Sequence, residues 1–255
     1  MLAVAPACVL GQPSARAVAG FDTYVRGVEA RLARQHQSAS GFLSPENGSL
    51  LHKDELIVEH LTPTKGDALP GATLYDWRGT AFVGGARAAD FERLLKNFGG
   101  YPQYFSPQVV RARVLSQDGD RFQVQMRMRQ RHTITVVLDA RYDVTFGRLD
   151  ARHGYSISRS TRIAEIASPG TSRERALTPS DAHGFLWRMN TYWSYEERDG
   201  GLYLQVESVS LTRSIPYGLG WAVVPFVESI PRESLEFTLR SVESALQKES
   251  ERAGA

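Results

Sequence analysis

The sequence predicts an α+β protein in which a curved antiparallel sheet wraps a long C-terminal helix, with an extra helix at the N-terminus. Three observations carry that reading. Apolar and polar residues alternate over residues 121–131 and 134–146, the period of two that marks antiparallel strands with one solvated face. The same period returns in Phe185, Trp187, Met189, Thr191, Trp193 and Tyr195, after which Asp199-Gly200-Gly201 supplies turn residues that accept positive φ and a further strand runs to Leu211. The chain then crosses Pro216, Gly218, Gly220 and Pro225 and enters a helix at about Pro231, with Leu235, Leu239, Val242 and Leu246 at helical spacing. Burying those four side chains is worth roughly 6–12 kcal/mol as an upper bound.

Composition narrows the classes. A chain of 255 residues with 42% hydrophobic and 23% charged residues can bury a core without disulfides or metals. A formal net charge of +2 gives no ground for a nucleic-acid partner. The single cysteine, Cys8, excludes an intrachain disulfide and a thiolate metal site. No apolar run approaches the roughly 20 residues that span a bilayer. Residues 1–19 are small and apolar until Arg16. They read equally as the apolar and cleavage parts of an export signal lacking its basic start, or as a disordered tail. Exported and cytoplasmic locations both stay open.

In chain order, Val18, Phe21, Val25, Val28 and Leu32 form one stripe of a helix over residues 18–36, with arginines opposite. Residues 38–48 read as a loop that ends in the short glycosylation match Asn47-Gly48-Ser49. A short strand over residues 55–61 closes an N-terminal extension, residues 20–66. A strand over 74–83 and a helix over 88–98 follow, the helix stopped by Gly99-Gly100. The aromatic cluster Tyr101-Pro102-Gln103-Tyr104-Phe105 comes next. In the strand at 121–131, Phe122, Val124, Met126 and Met128 point inward and a row of arginines and glutamines points out. A more polar strand over 154–166 is expected nearer a sheet edge, and residues 168–181 read as a loop. Pro231 suits the first turn of the closing helix.

The strand at residues 201–211, the Pro/Gly-broken connection with Gly220-Trp221 and Pro225, and Pro231-Arg232-Glu233-Ser234-Leu235 at a helix start resemble the end of lipid-transfer START domains. Ala88-Ala89-Asp90-Phe91-Glu92-Arg93-Leu94-Leu95 with the Tyr101–Phe105 cluster is similar to the first helical segment of coenzyme-Q-binding and cyclase-like proteins. The chain thus resembles the START / polyketide-cyclase (helix-grip, SRPBCC) superfamily from about Leu69 to Leu246, implying a domain over residues 67–250. The resemblance implies a container for a hydrophobic molecule in most members and cyclase or aromatase activity in a minority. It does not name the contents.

Catalytic signatures are missing: no G-x-S-x-G, P-loop, G-x-G-x-x-G or H-E-x-x-H, and six histidines without ligand spacing. No catalytic residue, metal or cofactor is assigned. The candidate lining is apolar and adaptable: Met126, Met128, Phe185, Trp187, Met189, Trp193, Trp221 and Phe226. The resemblance adds Tyr101, Tyr104 and Phe105 at one end of the pocket, with Leu235 on the helix. The competing reading makes all of these ordinary core. Three functions follow. The first is a non-enzymatic carrier of a lipid or isoprenoid quinone. The second is a cyclase-like enzyme needing His132, Asp76, Arg78 and Tyr142 inside the cavity. The third is an interaction module that uses the N-terminal helix and the arginine face. Asp76 and Arg78 either pair inside or stand solvated outside, whereas Gln130 and His132 are read as a water-exposed turn. Arg188, Asn190 and Tyr192 are expected to face water or a neighbour. The arginines either keep the protein soluble or make a transient membrane-surface contact.

Overall fold

The computed structural model describes residues 12–43, 56–62, 69–131, 135–214 and 220–254, with the backbone alone at 220–229 and 250–254. The sequon at Asn47, the connection at 215–219 and His132 lie outside the described residues. Helix α1 (Ala15–Gln35) starts earlier than the apolar stripe alone implied, because the Ser14 side chain caps it by accepting the Ala17 N–H at 3.1 Å. Its stripe Ala17, Phe21, Val25, Val28 and Leu32 is buried.

The strands are β1 (Leu56–His60), β2 (Ala72–Gly84), β3 (Val109–Asp118), β4 (Arg121–Arg131), β5 (Thr135–Arg148), β6 (His153–Ala167), β7 (Arg175–Ala176), β8 (Arg188–Arg198) and β9 (Gly201–Arg213). Between them lie α2 (Ala88–Lys96) and the short α3 (Tyr101–Tyr104), and α4 (Gly220–Gly254) closes the chain. Among the described residues nine strands form one sheet in the order β1-β2-β9-β8-β6-β5-β4-β3, with β7 beside β6. Every pairing is antiparallel. This is the expected α+β architecture, a curved sheet holding a C-terminal helix.

The β8–β9 hairpin turns through Asp199 and Gly200 at φ 56° and 75°, the positive values a two-residue turn needs to match strand twist. Three expectations are corrected. β6 is interior, between β5 and β8; its polar residues are mostly small serines, and Ser156 and Ser160 are buried. The edges are β1 and β3, and no alternation announced β3 because two bulges, at Val110 and Leu115, break its register. Helix α4 begins at Gly220 rather than Pro231, so Pro225 and Pro231 lie within it.

The sheet is covered on both sides. On the concave face Leu235, Leu239, Val242 and Leu246 of α4 meet Ala81, Val83, Leu204, Val206 and Tyr142 in the main core. On the convex face the α1 stripe packs on Tyr192, Val209 and Leu211. Tyr192 and Asn190 are therefore buried against a neighbour, not wetted. Leu239 is fully buried, and Leu239→Ala should cost about 2–5 kcal/mol in urea unfolding.

Candidate functional site

The strand register sets a row of small side chains in the middle of the concave face, the floor of a candidate hollow. Trp77 on β2 lies opposite Ser208 on β9, Ser208 opposite Thr191 on β8, and Thr191 opposite Ser158 on β6. The next row holds Ser210, Met189 and Ser160. Small hydroxyl side chains thus occupy the middle of the floor, with larger ones around it. Met126, Met128, Ile163, Met189, Trp77 and, from α4, Phe237 are only partly buried while touching the main core. They remain accessible where Leu235 and Leu239 are not.

Polar contacts at this end are few. Gln130 donates from Nε2 to the Ser234 hydroxyl of α4 at 3.4 Å, which places it between sheet and helix and not in a water-exposed turn. Tyr142 is buried, with its hydroxyl 4.0 Å from the Met128 sulfur, and burial pushes its pKa above the ordinary range. The indole N–H of Trp77 is buried with no hydrogen-bond partner. A buried unpaired donor costs free energy of order 1–3 kcal/mol, and an acceptor on a bound molecule would remove that penalty.

The sequence candidates divide. Met126, Met128 and Met189 are half-buried against the main core on the concave side. Tyr101, Phe105, Trp193 and Leu235 stand in packed core: Trp193 meets Phe91 edge-to-face at 5.2 Å and Tyr101 meets Phe105 at 5.0 Å. The Tyr101 hydroxyl donates to the Leu95 carbonyl at 2.7 Å, and that of Tyr104 accepts from Asn97 at 2.8 Å. These bonds fix the aromatic corner that closes one end of the core.

Two candidates leave the lining. Phe185 is 41% exposed and stacks on His183, because β8 begins only at Arg188. Trp187 also precedes β8 and packs with the convex cluster under α1. The side chains of Trp221 and Phe226 lie outside the described residues. Trp77, Ile163, Phe237 and the serine floor were missed. Their signal was the cross-strand register, which a single strand does not carry.

Asp76 and Arg78 are buried on the convex face, so they neither pair inside the cavity nor stand solvated. Asp76 accepts from the Tyr24 hydroxyl at 2.8 Å, Arg31 pairs with Glu207, and the Arg78 Nε lies 3.5 Å from Glu207. Burial, then the Glu207 charge, pushes the Asp76 pKa up to about 7. A cleft of about 460 Å³ opens beside them, lined by Tyr24, Val28, Arg31, Leu61, Asp76 and Arg78. A second cleft, of about 420 Å³, lies by α2 at Glu92, Arg93, Lys96 and Arg148. Both lie away from the row of small side chains on the concave face. Among the described residues no cluster of His, Cys, Asp or Glu is arranged to hold a metal.

No protein-family model matches the sequence, and no curated protein matches it. Solved structures do match. The Zhui aromatase/cyclase from a Streptomyces species superposes at a TM-score of 0.50 and 16% identity, covering 72% of this chain and 99% of that one. The STAR-related lipid transfer protein from Xanthomonas axonopodis gives 0.45 and 17%, covering 74% and 98%. The fold is the one that aromatase/cyclase shows. Identities this low speak to fold alone.

The Asp76 environment sets a pH dependence. Its folded pKa lies above the ordinary 3.8, so between about pH 4 and 7 the folded chain holds a proton that the unfolded chain releases. This term favours folding most below about pH 4, is lost as pH rises, and levels off above 7. Asp76→Asn should flatten that slope, as urea midpoints at pH 5 and pH 8 would register.

Proposed function

We propose that this chain binds a hydrophobic small molecule, a lipid or an isoprenoid quinone, between the concave sheet face and the start of α4, without transforming it. The carrying observation is the floor of Ser158, Thr191 and Ser208 ringed by half-buried Met126, Met128, Met189 and Trp77. Methionines adapt to a flexible apolar guest, and small floor residues leave it room. The unpaired Trp77 N–H supports a guest with an acceptor oxygen, as a quinone carbonyl or a lipid ester has. On this reading the binding unit is residues 67–250 and residues 20–66 are an extension clamped to its back. Acid–base catalysis is the weaker reading, since Asp76 and Arg78 lie on the opposite face from the hollow.

Purified protein should release an apolar molecule on solvent extraction and show a bound mass in native mass spectrometry. Thr191→Phe, which fills the floor, should cut uptake of a fluorescent fatty acid or a short-chain quinone at least tenfold while the melting temperature holds. Trp77→Phe, which removes one hydrogen bond, should weaken binding by about threefold to tenfold. No extracted molecule together with no uptake of either probe would end the proposal.

A further inference from the structure

The convex face beyond α1 carries a different chemistry. Arg113 on β3, Gln125 on β4, Arg141 on β5 and Arg162 on β6 are successive register partners, so they form one row across four strands. Arg111 and Arg129 flank the row on β3 and β4. All five arginines are exposed. Arg113 donates to the side-chain amide oxygen of Gln125 at 2.6 Å, and among the described residues none of the five has an acidic partner.

The acids of this face are committed or few. Asp139 and Glu174 both bind Arg127, at 2.7 Å each. Asp143 lies opposite Gln123 and Arg159, and Arg159 is itself paired with Glu29 of α1. Arg141 and Arg162 face each other directly, and like charges so placed repel. Solubility does not require that placement in a chain of net charge +2. Protection of an exposed sheet edge could account for arginines on β3, but not for Arg141 and Arg162 on interior strands.

A second observation adjoins the first. Val110 and Leu115 of the same edge strand are each 40% exposed. Both are the bulge residues that break the β3 register. Exposed aliphatic side chains beside an unneutralised arginine row suit a surface that offers phosphates at one depth and hydrocarbon just beneath. We propose that this face docks on an anionic phospholipid bilayer, with the arginines on the headgroup phosphates and the β3 aliphatics entering the interface. The proposal stands on the convex face and does not require a guest in the hollow.

Sedimentation of the full chain with phosphatidylcholine vesicles, with and without phosphatidylglycerol, tests it. Binding is expected only with the anionic lipid and should vanish at about 1 M salt, where screening is complete within roughly 3 Å. Replacing Arg111, Arg113, Arg141 and Arg162 together by glutamine should weaken it about a hundredfold to a thousandfold, near fivefold for each charge. Leu115→Ser with Val110→Ser should weaken it further without touching a charge. Circular dichroism would report that these variants remain folded, and guest extraction would be scored separately, so that either proposal can fail alone. Equal binding to neutral vesicles, unchanged binding by the glutamine variant, or tighter binding to duplex DNA than to anionic vesicles would each overturn it.

Discussion

The contact on which the fold rests is the seat of α4 on β2. Gly79 lies under the helix so closely that a Cβ there would come within 2.6 Å of a Leu239 methyl and 3.0 Å of one on Leu235. Without a side chain at that point the apolar stripe of α4 drops onto the sheet and excludes water from Ala81, Val83 and Leu204. The seat is one-sided. Around Leu239 and Val242 the core is closed, whereas Ser234 and Phe237 nearer the start of the helix are only partly buried. A tight end and a loose end on one helix are what turn a core into a candidate container.

The opposite face is closed by different means. α1 lays its stripe over β8 and β9, and Phe42 and Leu43 cover Tyr203, so β9 is buried almost continuously along its length. Two-sided burial takes polar groups with it. Asp76, Arg78, Glu207 and Asn190 all lie under or beside α1, where each needs a partner. Tyr24, Arg31 and Glu29 of the helix supply several: Tyr24 to Asp76, Arg31 to Glu207, and Glu29 to Tyr192 and Arg159. The N-terminal helix is thereby fixed by charge and hydrogen bonding as well as by its apolar stripe, and its register on the sheet is specified by those pairs.

How far the sequence could be read follows from these two faces. β4 and β5 are buried on one side, so their alternation was plain and their boundaries fell close to the observed ones. The inward set of β8 was equally plain, but the period extended two residues too far and drew in Phe185 and Trp187, which precede the strand. The outward set, Asn190 and Tyr192, gave no sign of burial because the helix that covers it lies far away in the chain. β6 misled because polarity was taken for exposure, although Ser160 is buried and accepts the Met189 N–H at 2.9 Å. Of the candidate site, the methionines were legible as apolar residues in phase. The small residues that make the hollow were not, since serine on a strand reads as solvent-facing until its cross-strand partners are known.

β4 joins the two proposals. Its alternation places Met126 and Met128 at the hollow and Arg127 and Arg129 on the convex surface, so one strand is both a wall of the container and part of the basic face. Between that wall and the edge of the sheet stands only β3, which is bulged, and most of whose residues are exposed. Bulges forfeit ladder hydrogen bonds and leave few buried contacts, the two features that lower the free energy of local opening. A bilayer held against the arginine row would therefore adjoin the least secured border of the proposed site. Hydrocarbon passing that border would avoid the core around Leu239, whose opening would cost the contacts that hold α4 in place. Docking at this face and a guest behind Met128 are separate claims, but a two-sided strand gives them one piece of covalent structure.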